Sequence, residues 1–420
     1  MMSQAFYTGL SGLRSNQYAI DVVSDNLANI STVGFRGSEY EFSSLFGDMI
    51  NTDANSGSGN SSVSLGTQMQ STSLKTSVGS LAPTERSTDL AILGNGWFGV
   101  QGEGDPVYTR DGAFTFDAEN DMVTADGYYV LGTIGNNISK DNILTKTIDT
   151  MALGPVSAQE KLRFPKSLSY PPEPTTRVAF SGNLGGVDVQ QTIGAGAVDA
   201  QNNKNDIKLV ATMSVPQVFP GSQWDILATA ASSDGSTIYD TQTGKLSFDE
   251  YGSLVGSTLT SLNNNGVVVE IDLGDNFTGM VDLRNTPAYQ DSQANGTVGG
   301  DLRGYSINKN AEVIATFTNG MQSSVGKIAV YHFQNDQGLE RVNSSKFQAT
   351  QNSGNPIFFQ NAAGENIIGT DISNFKLEGS NIDMTYGLTE LIILQRSYDA
   401  NSKSVTTADQ MMQKALNMDA

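Results

Sequence analysis

Both ends of the chain carry large apolar residues at seven-residue intervals, and this pattern constrains the fold more than any other feature. Seven-residue spacing keeps a narrow apolar stripe on one side of a helix and favours a left-handed coiled coil. A proline-free stretch near the start predicts a first helix that ends close to Gly34. Its row, with Leu10 beside it, consists of Phe6, Leu13, Ile20 and Leu27.

The last forty residues repeat the pattern and predict a second helix, which Asn381 or Asp383 can cap. Stripes this narrow bury too little apolar surface to offset the entropy of ordering two helices. We therefore expect the two ends to form one layer that orders against neighbouring copies of the chain. The alternative is that each helix simply packs on a globular core. The second row, with Leu388 beside it, consists of Leu391, Tyr398, Val405 and Met412.

The middle of the chain is rich in short β-prone runs of Tyr, Phe, Val and Thr that are separated by turn residues. No helical pattern lies between them, which favours antiparallel sheets. The pairs Asn95-Gly96, Asp111-Gly112, Asp126-Gly127 and Asn319-Gly320 predict type I′ hairpin turns.

The predicted fold class is mixed, with a terminal α-helical coiled-coil layer and mainly antiparallel β domains in a nested, inserted arrangement. Prolines from Pro165 to Pro174 and glycines from Gly296 to Gly304 mark the predicted boundaries of the insertion. The run NTDANSGSGNSSVS at 51–64 has the composition of a linker. The predicted parts are a helical layer (1–35 with 379–420), a linker or extended loop (36–76), an inner β domain (77–155 with 301–378) and an inserted outer β domain (156–300).

Charge and composition exclude several classes of protein. The formal net charge is −20, so phosphate backbones and anionic lipid repel the chain, and we expect neither nucleic acid binding nor membrane insertion. There is no cysteine and a single histidine, His332, which excludes thiolate chemistry and a histidine-rich metal site. The N-terminus lacks the basic and apolar regions of a secretory signal, so we expect any export to leave it intact.

Motifs that could carry chemistry favour structural interpretations. Gly94 to Gly99 matches G-x-G-x-x-G, but a strand and turn pattern follows where a dinucleotide site needs a helix. Asp117, Glu119 and Asp121 alternate like calcium ligands, yet the loop lacks the required glycine and final glutamate. His332 lies in a strand pattern without an adjacent nucleophile. The sequence therefore predicts no catalytic set, no metal site and no cofactor.

Two runs stand out at the ends, NLANISTVGFR from Asn26 to Arg36 and QRSYDANSKSVTTADQMM from Gln395 to Met412. They resemble the N-terminal and C-terminal signatures of the axial rod and hook proteins of the bacterial flagellum. The similarity is strong over about 1–155 and 300–420, and weak between them. The positions that carry these signatures are Asn26, Asn29, Thr32, Gly34, Phe35, Gln395, Arg396, Asn401, Ser402, Thr407 and Asp409.

This resemblance implies a function, and the long inserted block fits hook proteins better than the shorter rod subunits. It implies a hollow helical tube of identical subunits that passes torque as a flexible joint, with the terminal helices along its channel. It also implies export through the flagellar type III apparatus, and contacts with rod, hook-cap and hook–filament junction proteins outside the cell. The alternatives are a straight distal-rod subunit, or a secreted adhesin that binds through 156–300 and does not need its termini.

Overall fold

The computed structural model describes residues 2–47, 63–185, 190–218, 220–284, 286–343 and 345–418. Two long helices lie at the ends of the chain, α1 (Met2–Ala28) and α2 (Met384–Met418). Asp383 caps α2, because its Oδ1 accepts a hydrogen bond from the Tyr386 amide at 2.9 Å. Asn381, the other candidate cap, accepts from the Gly37 amide instead.

The strands fall in three stretches. The first holds β1 Ser38–Gly47, β2 Val63–Leu74, β3 Leu81–Pro83, β4 Leu90–Ile92, β5 Trp97–Gln101, β6 Val107–Thr109, β7 Phe114–Phe116, β8 Met122–Thr124, β9 Tyr129–Ile134, β10 Glu160–Lys161 and β11 Ser169–Tyr170. The second holds β12 Arg177–Asn183, β13 Gln191–Val198, β14 Lys204–Met213, β15 Ser222–Ser232, β16 Ile238–Phe248, β17 Leu254–Ser257, β18 Ser261–Asn264, β19 Val267–Asp272, β20 Met280–Val281 and β21 Tyr289–Ala294. The third holds β22 Gly300–Ile307, β23 Glu312–Phe317, β24 Gln322–Ile328, β25 Val330–Tyr331, β26 Glu340–Asn343, β27 Lys346–Gln348, β28 Phe359–Gln360, β29 Asn366–Ile367, β30 Ile372–Asn374 and β31 Lys376–Glu378.

The structure corrects the prediction of a linker over 36–76, because β1 and β2 form a long antiparallel hairpin there. This hairpin lies along α1, where Ser15 Oγ donates to the Thr67 carbonyl at 3.1 Å. Apolar and polar residues alternate over the first part of each strand, but register shifts after Glu41 and Leu45 interrupt the pairing, and the many Ser, Thr and Gln residues give the segment the composition of a linker. The face on which the hairpin packs is supplied by α1. The linker-like run at 51–64 lies outside the described residues except for its last two positions.

The inner β core draws on strands from both sides of the insertion. β5 pairs with β6 and β9 nearby, and also with β25, which follows the insertion. β6 pairs with β27, and β9 pairs with β24. Buried side chains such as Phe98, Phe114, Val313 and Phe317 fill one apolar cluster under these strands. The prediction of mainly antiparallel pairing is confirmed.

The insertion is shorter than the predicted 156–300, because β10 and β11 pair with β9 and β22 of the inner core and Phe164 lies in its apolar cluster. Residues 177–294 form a second core between two five-stranded sheets. One sheet is the antiparallel series β13 to β17, and the other is built around β12, which pairs in parallel with β19 and β20. Trp224 is fully buried between them and donates from Nε1 to Asp282 Oδ2 at 3.2 Å. The chain enters and leaves this block at one place, where the Thr176 amide donates to Asn295 Oδ1 at 3.0 Å.

The predicted type I′ turns are wrong, although chain reversals do occur at these positions. A type I′ turn needs positive φ at both central residues. At three of the four pairs only the glycine has it, with φ of +127° at Gly96, +83° at Gly127 and +84° at Gly320. The pair Asn265-Gly266, between β18 and β19, does meet the requirement, with φ of +50° and +91°.

Candidate assembly interface

The two terminal helices pack antiparallel, and glycines set how closely they approach. A Cβ atom added to Gly9 would lie 2.8 Å from Val405 Cγ2, and one added to Gly12 would lie 2.9 Å from Asn401 Nδ2. At the other end, a Cβ on Gly387 would lie 2.9 Å from Leu27 Cδ2. Contacts under 3 Å mean that larger residues at these positions would push the helices apart.

The buried seam between the helices is made of smaller residues than the predicted rows. Ala19 and Val23 of α1 pack against Leu394 of α2, and all are at most 5% exposed. Gly387, Leu394, Asn401 and Ala408 recur every seventh residue and face α1. A search for large apolar residues misses this row because two of its members are glycine and asparagine. Its seven-residue spacing is the signal that could have found it.

The predicted rows flank this seam. Ile20, Leu27 and Leu391 are half-buried and pack against its edge. Leu388 and Tyr398 stay 47% and 38% exposed. The remaining members are half-buried, namely Phe6, Leu10, Leu13, Val405 and Met412.

The N-terminal signature residues form the turn that leads from α1 into the hairpin. The Asn26 side chain donates to the Ser38 carbonyl at 2.8 Å and accepts from the Ser38 amide at 2.9 Å. Thr32 Oγ1 donates to Asn29 Oδ1 at 3.2 Å. The Gly34 amide donates to the Glu378 carbonyl at 2.7 Å, and Phe35 beside it is buried. These residues therefore fix the path of the chain.

The C-terminal signature residues are spread along α2 and are not gathered into one site. Asn401 and Ser402 are half-buried, and Asn401 lies against Gly12. The others are exposed polar side chains, namely Gln395, Arg396, Thr407 and Asp409.

A buried charged cluster joins the helices to the inner β core. Glu378, just before α2, lies 2.9 Å from Arg36 Nη2 and 3.3 Å from Arg110 Nη1. All three side chains are at most 3% exposed. The Gly79 amide also donates to Glu378 Oε1 at 3.0 Å. Burial, aided by the neighbouring Arg36 guanidinium, lowers the pKa of Arg110 to about 10.

The first three turns of α2 carry large apolar side chains that α1 leaves uncovered. These side chains are between 47% and 62% exposed. They point to several sides of the helix, because α1 covers only the side of Gly387 and Leu394. We call them the apolar collar: Met384, Tyr386, Leu388, Ile392 and Ile393.

Beside the collar, an acidic cleft of about 420 Å³ opens between the two helices and the hairpin. Its charged lining consists of Glu39, Lys75, Asp383 and Glu390. Lys75 Nζ lies 3.6 Å from Glu39 Oε1. Burial and a hydrogen bond to Glu390 raise the pKa of Tyr40 at the edge of the cleft.

The residues considered for chemistry have structural contacts. His332 Nε2 donates to the Ile368 carbonyl at 2.6 Å, and burial lowers the pKa of His332. Gly94 to Gly96 form the turn between β4 and β5. Asp117 accepts amide hydrogen bonds within its own turn, while Arg163 holds Asp121 at 2.5 Å. Within the described ranges, no group of side chains is arranged to hold a metal ion, and no helix could span a membrane.

Known protein families match this chain over its two terminal helices and part of its inner β core. Family models match at residues 6–36 (flagella basal body rod protein), 91–158 (flagellar hook protein FlgE/F/G D1 domain) and 375–418 (flagellar basal body rod FlgEFG protein C-terminal). The flagellar hook protein FlgE of Brucella suis is 30% identical, with 98% of each chain covered. That of Escherichia coli is 28% identical, with 99% of this chain and 100% of the relative covered. The crystal structure of Helicobacter pylori flagellar hook protein FlgE2 shares the fold, with a TM-score of 0.55 and 16% identity over 71% of this chain and 100% of that one.

Proposed function

The chain belongs to the flagellar hook protein family, and from this premise we propose how it builds the hook. It is a structural subunit of the bacterial flagellar hook, located in the flagellum, and it polymerises. The tube that it forms is hollow and helical, and it passes torque from the rod to the filament as a flexible joint. Because the relatives are hook proteins that align over nearly their whole length, neither a rod subunit nor an adhesin is favoured.

The observation that carries the proposal is the apolar collar on α2. The collar forms one row of three side chains at four-residue spacing and a second row of two, and exposed apolar rows of this kind mark contacts between proteins. Full burial of a large apolar side chain contributes about 1.5–3 kcal/mol. Several half-exposed side chains can therefore supply enough free energy to join copies, while the net charge of −20 opposes association without specific contacts.

A charge placed in the collar is the direct test. Ile393→Asp is expected to raise the critical concentration for polymerisation at least about tenfold, because burial of the 58% exposed side chain, roughly 1–2 kcal/mol, is lost and a charge must be desolvated. Sedimentation and electron microscopy measure the polymer, and circular dichroism checks the fold. Ile238→Asp is the matched control, since Ile238 is 64% exposed but lies on the outer block. Polymers of normal length from Ile393→Asp would show that the collar is not an interface.

The predicted rows remain part of the proposal. We propose that the half-buried and exposed row residues, including Leu391 and Tyr398, complete the contacts of the collar with neighbouring copies. Leu391→Asp is then expected to prevent assembly and leave the β cores folded. Leu391→Asp can be measured by the same methods as Ile393→Asp. Leu391 also packs against α1 within the chain.

We also propose that the protein acts by association alone and without catalysis. A polymer of this kind presents different surfaces at its two ends, so other proteins must cover them. Rod proteins at one end, and hook-cap and junction proteins at the other, suit these roles. Export by the flagellar type III apparatus, with attachment outside the cell, agrees with the family to which the chain belongs.

Finally, we propose that the predicted helical, inner and outer parts are separable units, with the outer block as the most independent of them. Its apolar cluster is separate from that of the inner core, and its two connections meet at Thr176 and Asn295. Deleting 177–294 and inserting a short glycine linker is expected to leave thermal unfolding of the inner core within about 3 °C of the intact chain. The shortened chain should still polymerise into a thinner tube. Calorimetry and electron microscopy measure both, and an unfolded product would contradict the division.

A further inference from the structure

The glycine motif from Gly94 to Gly99 and the single histidine meet at the turn between β4 and β5. A Cβ atom added to Gly96 would lie 3.0 Å from His332 Cε1 and 3.5 Å from His332 Nδ1. The imidazole ring is buried, and it stacks on Phe359 with 4.3 Å between the two ring centroids. The ring is therefore held with one of its nitrogens beside the backbone of Gly96.

This ring nitrogen is a base. The Ile368 carbonyl can only accept a hydrogen bond, so His332 Nε2, which bonds to it, carries the proton of the ring. Burial lowers the pKa of His332 and keeps the ring neutral at neutral pH. The lone pair of the neutral ring therefore lies on Nδ1, and no donor among the described residues bonds to this atom.

Asn95 precedes Gly96, and its side chain is not held in place. It is exposed and, in the part of the chain that the structure describes, it makes no hydrogen bond. The Gly96 amide donates no hydrogen bond there either. The sequence has three further Asn-Gly pairs. Hydrogen bonds of 2.7 or 3.0 Å fix their side chains, from Asn265 to Asp199, from the Thr176 amide to Asn295 and from Asn319 to Val298.

These groups are the ones that deamidation of asparagine requires. When a base removes the proton of the Gly96 amide, its nitrogen can form a bond to Asn95 Cγ, and glycine has no side chain to block this approach. The side-chain nitrogen of Asn95 takes the proton from the ring and leaves as ammonia, and a cyclic imide remains. Water then opens the imide at either carbonyl, which gives aspartate or isoaspartate at position 95.

We infer that Asn95 and Gly96 form a site of self-catalysed deamidation, with His332 as its general base. The reaction consumes Asn95, so each chain undergoes it once, and it is a self-modification and not an enzymatic activity. It leaves a carboxylate in the turn next to Gly94, whose carbonyl accepts from Arg110 Nη2 at 2.6 Å. Because the loss of ammonia is not reversed in water, the modified fraction rises with the age of a subunit.

Peptide mapping by mass spectrometry measures deamidation at all four Asn-Gly pairs after incubation of the unpolymerised chain in a buffer without phosphate. At Asn95 the reaction is expected to be at least about tenfold faster in the folded chain than in urea, because a positioned base accelerates the proton transfer. At Asn265, Asn295 and Asn319 it is expected to be about tenfold slower in the folded chain, since their hydrogen bonds must break first. A reaction at Asn95 that is no faster in the folded chain than in urea would overturn the inference.

Two variants identify the base and the reacting residue. Glutamine can donate to the Ile368 carbonyl as His332 Nε2 does but has no basic nitrogen, so His332→Gln is expected to slow the reaction at Asn95 about tenfold or more. Asn95→Gln should abolish the signal in its peptide, because the longer side chain disfavours the ring closure. Circular dichroism shows whether the variants fold.

If folded His332→Gln reacts as fast as the unmodified chain, His332 is not the base and the inference is wrong. If His332→Gln does not fold, the comparison of the folded chain with the chain in urea decides alone. None of these rates depends on polymerisation, so their outcome is separate from that of the proposed function.

Discussion

Replacing Glu378 with alanine is expected to lower the free energy of unfolding of the inner core by about 3–5 kcal/mol. The change leaves the guanidinium groups of Arg36 and Arg110 buried beside each other without their shared carboxylate. An unpaired buried charge costs far more than the net contribution of the intact pair, because its desolvation is no longer offset. The Gly79 amide also loses its acceptor.

The two tryptophans allow this loss to be assigned to one part of the chain. Trp97 lies in the inner core and Trp224 in the outer block. In a Trp224→Phe background, urea unfolding followed by fluorescence reports on Trp97 alone, and Glu378→Ala should lower the midpoint of that transition. Glu340→Ala, at an exposed position, is the control and should change the free energy by less than about 0.5 kcal/mol. A loss below about 1 kcal/mol for Glu378→Ala would mean that the cluster does not stabilise the core.

Gly34→Ala is expected to destabilise the junction by about 2–5 kcal/mol, because strain and overlap act together. Gly34 has φ of +66°, in the left-handed region that side chains disfavour. An added Cβ would also lie 2.3 Å from the Asp111 amide nitrogen and 2.6 Å from the Arg110 carbonyl carbon. Both of those atoms are backbone, so relief requires the end of α1 to move away from the inner core.

Gly127→Ala isolates the conformational part of this effect. Gly127 has φ of +83°, but no atom lies within 4 Å of the added Cβ. Its cost should therefore be only about 1 kcal/mol, which arises from backbone strain. The same Trp97 fluorescence measurement serves both variants, and hydrogen exchange at the hairpin amides should rise for Gly34→Ala alone. Equal losses for the two variants would show that the close contact at Gly34 does not contribute.

Much of the fold follows from local patterns in the sequence. The absence of proline and the row from Phe6 to Leu27 predict α1, and Asp383 is one of two residues predicted to cap α2. The antiparallel pairing of the middle follows from short β-prone runs without helices between them. These features depend on neighbouring residues, so they can be deduced from a sequence alone.

The parts that were missed depend on contacts between distant residues. Gly12 faces Asn401, and Arg36 meets Glu378, so neither contact has a local pattern. The hairpin of β1 and β2 packs on α1, and its apolar residues are too sparse among Ser, Thr, Gln and Gly to distinguish it from a linker. The predictions of type I′ turns failed for a related reason. Whether an asparagine or aspartate adopts positive φ depends on the loop length that the paired strands impose.

The nested path of the chain also determines the order in which its parts can form. All strands of the outer block lie within 177–294, so its pairings are complete once that stretch is available. Folding of the inner core requires more of the chain, because β5 pairs with β25 and β4 pairs with β30. The last contacts are those between α1 and α2, where Gly9 meets Val405. Contacts between distant residues form late because closing a long loop costs entropy. We therefore expect the 177–294 block of a newly made subunit to fold first, and the proposed assembly surface on the terminal helices to be completed only when the whole chain is free.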